Sequence, residues 1–264
     1  MGTDLMITSG VVVGAAWAAK KVLGPTLDAM GGDLASSYRF GVDRILASAY
    51  RKTEDIDDGK AANLRVAHDI LQNGAFATDE FVLDYFGGLL ASSRSSDGWK
   101  DDVTPFVNVV KSLSSSQLKL HYNIYNAMEQ LALDDPEIRQ SSSSGSDAVK
   151  CKTLYMHYND VDAAIHLNVL ARHELIGSGS FTGTSFHYPD DNEKQFLLYM
   201  SGTPTVFGVM LYAAVHGMLD AWQIYGRRKM EGVEDIETPT VFGLSMEELV
   251  SKAIENGITT PHAP

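Results

Sequence analysis

The sequence predicts an α+β protein that is mainly helical: an N-terminal helical bundle, followed by a smaller part in which an antiparallel β-hairpin packs on a long apolar helix. Three observations lead to this fold class. Apolar residues recur at steps of three or four through the first half, and helix-start signals precede several of these runs. Two β-rich runs joined by a turn-like segment occur late in the chain.

The first half of the chain is predicted to form successive helices. A short helix ends before Pro25, and later helices are predicted to begin near Thr26, Ala61, Thr78, Thr104 and Ser114. Thr104 precedes a proline at the first helical position, where the missing N–H costs no hydrogen bond. Ser114 and Gln117 have the spacing of a capping box.

The helix predicted over residues 78–92 is expected to lie at the centre of the N-terminal bundle. Thr78 is predicted to be its N-cap, since a threonine hydroxyl accepts from free backbone amides there. Its predicted core residues are Phe81, Tyr85, Leu89 and Leu90. The two glycines at 87 and 88 would allow a neighbouring helix to approach closely.

A serine-rich run at residues 141–147 is predicted to be a linker between a helical domain (1–140) and an α+β subdomain (148–264). In the subdomain, alternation near residues 149–155 favours a strand, and a helix is predicted from Asn159 to about Ile176. The hairpin is predicted over residues 181–187 and 195–200, with its turn at 189–192. Further helices are predicted over 204–225 and 245–257.

One hexapeptide, TPTVFG, occurs twice, at residues 203–208 and 238–243. Threonine before proline is a typical helix entry, and a Val-Phe pair can pack on a core. Both copies are therefore predicted to start helices. A symmetric binding site is the alternative.

Charge and composition exclude some classes of function. The formal net charge of −13 disfavours general nucleic-acid binding, because an acidic surface repels phosphates. A single cysteine excludes an internal disulfide framework and favours a cytoplasmic location. The apolar segment at 11–19 is too short to span a bilayer, and the segment at 196–222 is interrupted and contains His216 and Asp220. Peripheral membrane contact stays open.

The strongest candidate for catalysis is Tyr212, His216 and Asp220, which are four residues apart and would share one face of the predicted helix over 204–225. A carboxylate one turn from an imidazole can orient it as a general base. No serine or cysteine nucleophile is placed near them by the sequence. The alternative is the polar face of an amphipathic helix.

The loop after residue 92 is the candidate binding surface. Its candidate binding residues are Arg94, Asp97, Trp99, Asp101 and Asp102. These acids lack the DxDxDG spacing of a calcium loop, so a solvated turn is the alternative. No paired CxxC, HExxH or three-glycine phosphate motif occurs in the sequence. It therefore predicts neither a metal ion nor a cofactor.

Three segments resemble the abortive-infection alpha (Abi-alpha) proteins of bacteria. They are residues 21–46, which contain LGPT, residues 65–102, which join the 78–92 helix to the acidic loop, and residues 112–125, which contain LSSSQ. The resemblance implies a bacterial protein, cytoplasmic or membrane-peripheral, associated with phage defence. It implies no catalytic residue.

We therefore expect an antiphage defence protein that acts through association with a protein partner or with itself as a homo-oligomer. Without a strong catalytic motif, an enzyme is the less favoured alternative, a hydrolase that uses His216 and Asp220. A second alternative is a membrane-perturbing effector that uses residues 11–19 or the helix after Pro204.

Overall fold

The computed structural model describes residues 32–136, 152–158, 162–187, 194–231, 233, 239 and 241–258. The predicted segment at 11–19, the serine-rich linker at 141–147 and the turn at 189–192 lie outside the described residues. Over these residues the fold is α+β, with more helix than strand and two antiparallel sheets. Across the described ranges, no helix has both the length and the apolar composition needed to cross a membrane.

The described helices are α1 (Gly32–Arg51), α2 (Leu64–Gly74), α3 (Glu80–Ser92), α4 (Thr104–Val110), α5 (Ser115–Asp134), α6 (Ala163–Arg172), α7 (Val206–Val215) and α8 (Met246–Glu255), with a 3-10 helix at Leu219–Ile224. The described strands are β1 (Ala61–Ala62), β2 (Arg94–Ser95), β3 (Leu154–His157), β4 (Ile176–His187), β5 (Lys194–Pro204) and β6 (Phe242–Gly243).

The chain divides into two compact units. Unit 1 contains the described residues up to Ser112 together with Ala214–Gly217, and unit 2 contains those of Leu113–Ala213 and Met218–Pro264. This division differs in position from the predicted one, which followed the serine-rich linker. The linker was inferred from composition alone, whereas compact units reflect which elements pack together.

In unit 1, α3 packs against α1, α2 and α4. The predicted core of this helix is confirmed, since Phe81, Tyr85, Leu89 and Leu90 are all buried. The close approach predicted at the two glycines is also confirmed at Gly87, where an added Cβ would lie 2.4 Å from the Ser48 Cβ of α1. A side chain at residue 87 would therefore push α1 and α3 apart.

Side-chain caps are present at some of the described helix starts and absent at α4 and α6. The capping box of Ser114 and Gln117 is confirmed at α5, with both reciprocal hydrogen bonds. The prediction that Thr78 caps α3 was wrong: the next residue, Asp79, is the N-cap and accepts from the Phe81 N–H. Asp and Thr both serve as N-caps, so the sequence alone did not decide between neighbours.

Unit 2 contains a four-stranded antiparallel sheet in the order β4-β5-β3-β6. The hairpin is longer than predicted, because β4 and β5 pair from Ile176↔Pro204 to His187↔Lys194. Helix α6 packs on β4. Packing of the hairpin on the helix after Pro204, and a bundle arrangement of the N-terminal helices, stay predictions.

The two TPTVFG copies have different structures. In the first copy a helix follows, but Thr203 and Pro204 end β5 instead of starting the helix. Helix α7 begins at Val206, and the Gly208 N–H donates to the Thr205 Oγ1. In the second copy Phe242 and Gly243 form β6 and pair with Met156 and Tyr155 of β3. The helix predicted to begin there is therefore wrong. Pairing with β3 outweighs the local helix-start signal.

Candidate functional site

The predicted catalytic residues depended on one continuous helix over residues 204–225, and the observed helix ends before Asp220. Helix α7 ends at Val215, and Gly217 has a φ of +75°, a left-handed conformation that terminates helices. Asp220 lies in the separate 3-10 helix and is exposed. His216 is only 3% exposed. The helix predicted over residues 204–225 is therefore wrong, and the four-residue spacing no longer places His216 and Asp220 on one face.

Tyr212 belongs to a buried polar cluster in unit 2. Its hydroxyl donates to Glu129 Oε2 at 3.2 Å, and the Met230 N–H donates to Glu129 Oε1 at 3.0 Å. Burial raises the pKa of Glu129 to about 7. Glu129 is only 1% exposed, which excludes direct contact with a substrate in this conformation.

Three more tyrosines surround Tyr212. The ring centroids of Tyr122, Tyr125 and Tyr225 lie 5.5 to 6.1 Å from that of Tyr212. The rings of Tyr125 and Tyr225 are 6.2 Å apart. The Tyr225 hydroxyl donates to the Tyr125 carbonyl, and the Tyr125 hydroxyl donates to the Leu175 carbonyl. Burial raises the pKa of Tyr125 to about 12. These hydroxyls stay protonated at physiological pH and serve as structural donors.

The predicted binding loop is ordered by its own side chains. The Asp97 carboxylate accepts from the Trp99 N–H and the Ser95 hydroxyl, and these bonds hold its pKa below the usual range. Arg94 pairs with Asp58 at 2.6 Å. Trp99 is 79% exposed, and Asp101 and Asp102 are exposed too. Arg94 is therefore engaged within the protein, whereas Trp99 is available to a partner. The binding role of the loop stays a prediction.

Strand β4 forms one edge of the four-stranded sheet. Its sequence, IGSGSFTGTSFH, contains no Asp, Glu, Lys, Arg or Pro. Natural edge strands are usually protected by charges, prolines or short length, because their unpaired backbone groups invite another strand. Sequence reasoning predicted the hairpin but missed this property. The signal in the sequence that could have indicated it is the run of twelve residues without a charged side chain.

The face of the hairpin beside this edge carries half-buried aromatic side chains. Phe181 of β4 and Phe196 of β5 are both partly exposed. The Phe196 ring lies over Gly183, where an added Cβ would be 2.0 Å from the ring Cζ. Glycine at 183 therefore leaves the ring flat against the edge strand. The other face carries Phe186 and Leu197, which are buried in a hydrophobic cluster with Val241, Leu249 and Ala253. It also carries the polar pair of Ser180 with Ser201, whose hydroxyls are 2.9 Å apart.

A second surface feature is a cleft in unit 1 between α2 and α4, with a volume of about 310 Å³. It is lined by Arg65, Val66, His68, Asp69, Thr104, Val107 and Asn108. Sequence reasoning missed this cleft. Arg65 and His68 are three residues apart and Thr104 and Asn108 four, but spacing does not reveal which two helices meet.

A third feature of interest is the buried carboxylate of Asp84 in α3. It accepts from Ser48 and Arg51 of α1 and from Lys52, the residue after this helix, with the Lys52 Nζ 2.6 Å from Oδ2. Asp84 and Lys52 are buried, so a substrate has no direct access to this ion pair. We interpret it as a structural connection between the two helices.

No protein-family model, curated protein or solved structure matches this chain.

Proposed function

We propose that this protein takes part in bacterial antiphage defence as a homo-oligomer, and that its copies associate through the edge of β4. The resemblance to Abi-alpha proteins supports the defence role. The uncharged edge strand is the observation that supports self-association. Neither argument requires a catalytic centre.

Charge favours this edge over other surfaces as the contact between copies. Two copies of a chain with a net charge of −13 repel each other, and the repulsion is smallest where charged side chains are absent. Strand β4 is twelve residues long and uncharged apart from the titratable His187 at its end. Two copies of such a strand can pair without burying an unpaired charge.

A two-fold axis is the simplest geometry for this contact. In an isologous dimer the same surface of each copy faces its equivalent, so two β4 strands would pair antiparallel. The middle of β4 falls at Phe181 and Thr182, and the Thr182 side chain is exposed. With the axis passing at Thr182, the two Thr182 side chains face each other about 5 Å apart at Cβ. Phe181 and Phe196 would add apolar contact beside the new pairing.

The hydrolase alternative has less support. Its base, His216, is buried, and its carboxylate, Asp220, is exposed on a different element. The alternative makes a distinct prediction all the same: His216→Ala should abolish phage protection. Under our proposal that variant keeps its protection if it folds.

Charge exchange at Thr182 tests the contact directly. Thr182→Lys and Thr182→Glu each place like charges opposite one another across the axis, so each variant alone should be monomeric. Mixed in equal amounts, they should re-form a dimer, because opposite charges then face each other. Analytical ultracentrifugation of the separate and mixed full-length proteins measures this. Ser251→Lys, at an exposed position of α8, is the matched control and should leave the dimer intact.

The same variants connect association to function in cells. If self-association is required, strains that express either Thr182 variant alone lose phage protection in plaque assays, and strains that express both regain it. A wild-type protein that stays monomeric contradicts the proposed contact. Loss of protection that the mixture does not restore contradicts the link to defence.

A further inference from the structure

The cleft between α2 and α4 brings together several hydrogen-bond donors over an apolar floor. Arg65 and His68 of α2 and Asn108 of α4 are exposed at its walls. Val66 and Val107 are 2% and 0% exposed and form the apolar part of the lining. A volume of about 310 Å³ lies at the lower end of the range for small-molecule sites.

The donors at this cleft are not used by the rest of the described structure. No described residue forms an ion pair or side-chain hydrogen bond with the Arg65 guanidinium or the His68 ring. Asp69 also lines the cleft, and its carboxylate lies 3.8 Å from the Lys111 ammonium, which offsets its negative charge. The Arg65 guanidinium is therefore left as the charge that favours an anionic ligand.

Thr104 supplies a second, independent observation. It lines the cleft, and its Oγ1 is buried without a hydrogen-bond partner. A buried unpaired hydroxyl costs about 1–3 kcal/mol, and native proteins rarely retain one without a reason. In a complex, rotation about the Cα–Cβ bond would direct this hydroxyl to a ligand atom in the cleft.

We propose that this cleft binds a small phosphate monoester. The Arg65 guanidinium pairs with two phosphate oxygens, and Asn108, His68 and the Thr104 hydroxyl donate to the others. A tetrahedral phosphoryl group has enough acceptor oxygens for donors on several sides, whereas a carboxylate has two. The apolar floor of Val66 and Val107 contacts the organic part. This site is independent of the proposed self-association.

Calorimetry with defined probes tests the site. Glucose 6-phosphate and inorganic phosphate are titrated into the full chain, with glucose as the uncharged comparison. We expect both phosphates to bind and glucose not to bind. Tighter binding of the monoester supports a contribution from the apolar floor, and equal binding makes free phosphate the ligand. Absence of binding by both phosphates overturns the proposal.

Two substitutions identify the cleft as the binding site. Arg65→Gln should weaken phosphate binding about tenfold or more, because a bidentate charged pair is lost. Arg39→Gln, at an exposed position of α1 in the same unit, is the matched control and should bind like the wild type. Equal affinity of the wild type and Arg65→Gln overturns the assignment.

Thr104→Val separates binding from folding. It removes the unpaired hydroxyl with little change of shape, so the ligand-free protein should be as stable as the wild type or more stable. The same variant should bind phosphate more weakly. A variant that loses stability without ligand and keeps wild-type affinity would show that the hydroxyl is structural.

Discussion

Asp84 in unit 1 and Glu129 in unit 2 are both buried carboxylates, and the two units accommodate them in opposite ways. Asp84 is 7% exposed, and its carboxylate accepts hydrogen bonds from a lysine, an arginine and a serine side chain. Glu129 is 1% exposed, and its carboxylate accepts hydrogen bonds from a tyrosine hydroxyl and a backbone N–H. Only Asp84 therefore has cationic side chains in direct contact.

The difference lies in the partners of each buried acid. Arg51 and Lys52 form ion pairs with Asp84, and these pairs contribute to the contact of α3 with the C-terminal end of α1. The neutral donors at Glu129 offset the effect of its burial only in part, so burial raises the pKa of this carboxyl group to about 7. We expect Glu129 to titrate near neutral pH, and we expect the ion pairs of Asp84 to contribute to stability.

The largest effect is expected from Lys52→Met. It leaves the buried Asp84 without its lysine, and the loss of one partner from a buried ion pair costs about 3–5 kcal/mol. Chemical denaturation at pH 7 measures the loss. The double variant Lys52→Met with Asp84→Leu should recover much of this loss, since no unpaired carboxylate remains. A single-variant loss below about 1 kcal/mol would show that Arg51 and Ser48 suffice for Asp84.

The second largest effect is a pH dependence of the free energy of unfolding, which we attribute to Glu129. Its folded-state pKa of about 7 lies above the ordinary value of 4.5 for a glutamate, so between these pH values the folded state binds a proton that the unfolded state has lost. Stability from this group is present below pH 4.5 and is lost as pH rises through 7. The loss is about 3 kcal/mol by linkage.

Glu129→Gln should remove that component. The free energy of unfolding of the variant, minus that of the wild type, should rise by about 3 kcal/mol from pH 4.5 to pH 8, because the variant has no carboxyl group to ionise. Denaturation at a series of pH values measures the difference. Glu247→Gln, on the exposed first turn of α8, should show no comparable change. A pH-independent difference for Glu129→Gln contradicts the raised pKa.

Local patterns in the sequence predicted local structure well. The spacing of Phe81, Tyr85 and Leu89 identified a buried helix face, and Ser114 with Gln117 identified a helix start. Both features depend on residues within a few positions of each other. The hairpin was also predicted, because its strands follow one another in sequence.

Features that depend on distant residues were not predictable. Phe242 pairs with Met156 of β3, and this long-range contact decides the structure of the second TPTVFG copy. Asp84 meets Lys52 across 32 residues, and the cleft forms where α2 meets α4. Helix α7 ends before Gly217, so the proposed catalytic residues do not share one helix face. The sequence did not reveal this end, because an isolated glycine is often tolerated inside a helix.

The smallest effect is expected from Arg44→Gln. Arg44 pairs with Glu80 at 2.8 Å and joins α1 to α3, as Lys52 and Asp84 do, but both side chains are more than half exposed. Water and salt screen such a pair, so its loss should change the free energy of unfolding by no more than about 0.5 kcal/mol. Denaturation in low and high salt measures it beside Lys52→Met. If the two single variants lost equal stability, burial would not be what distinguishes the two ion pairs.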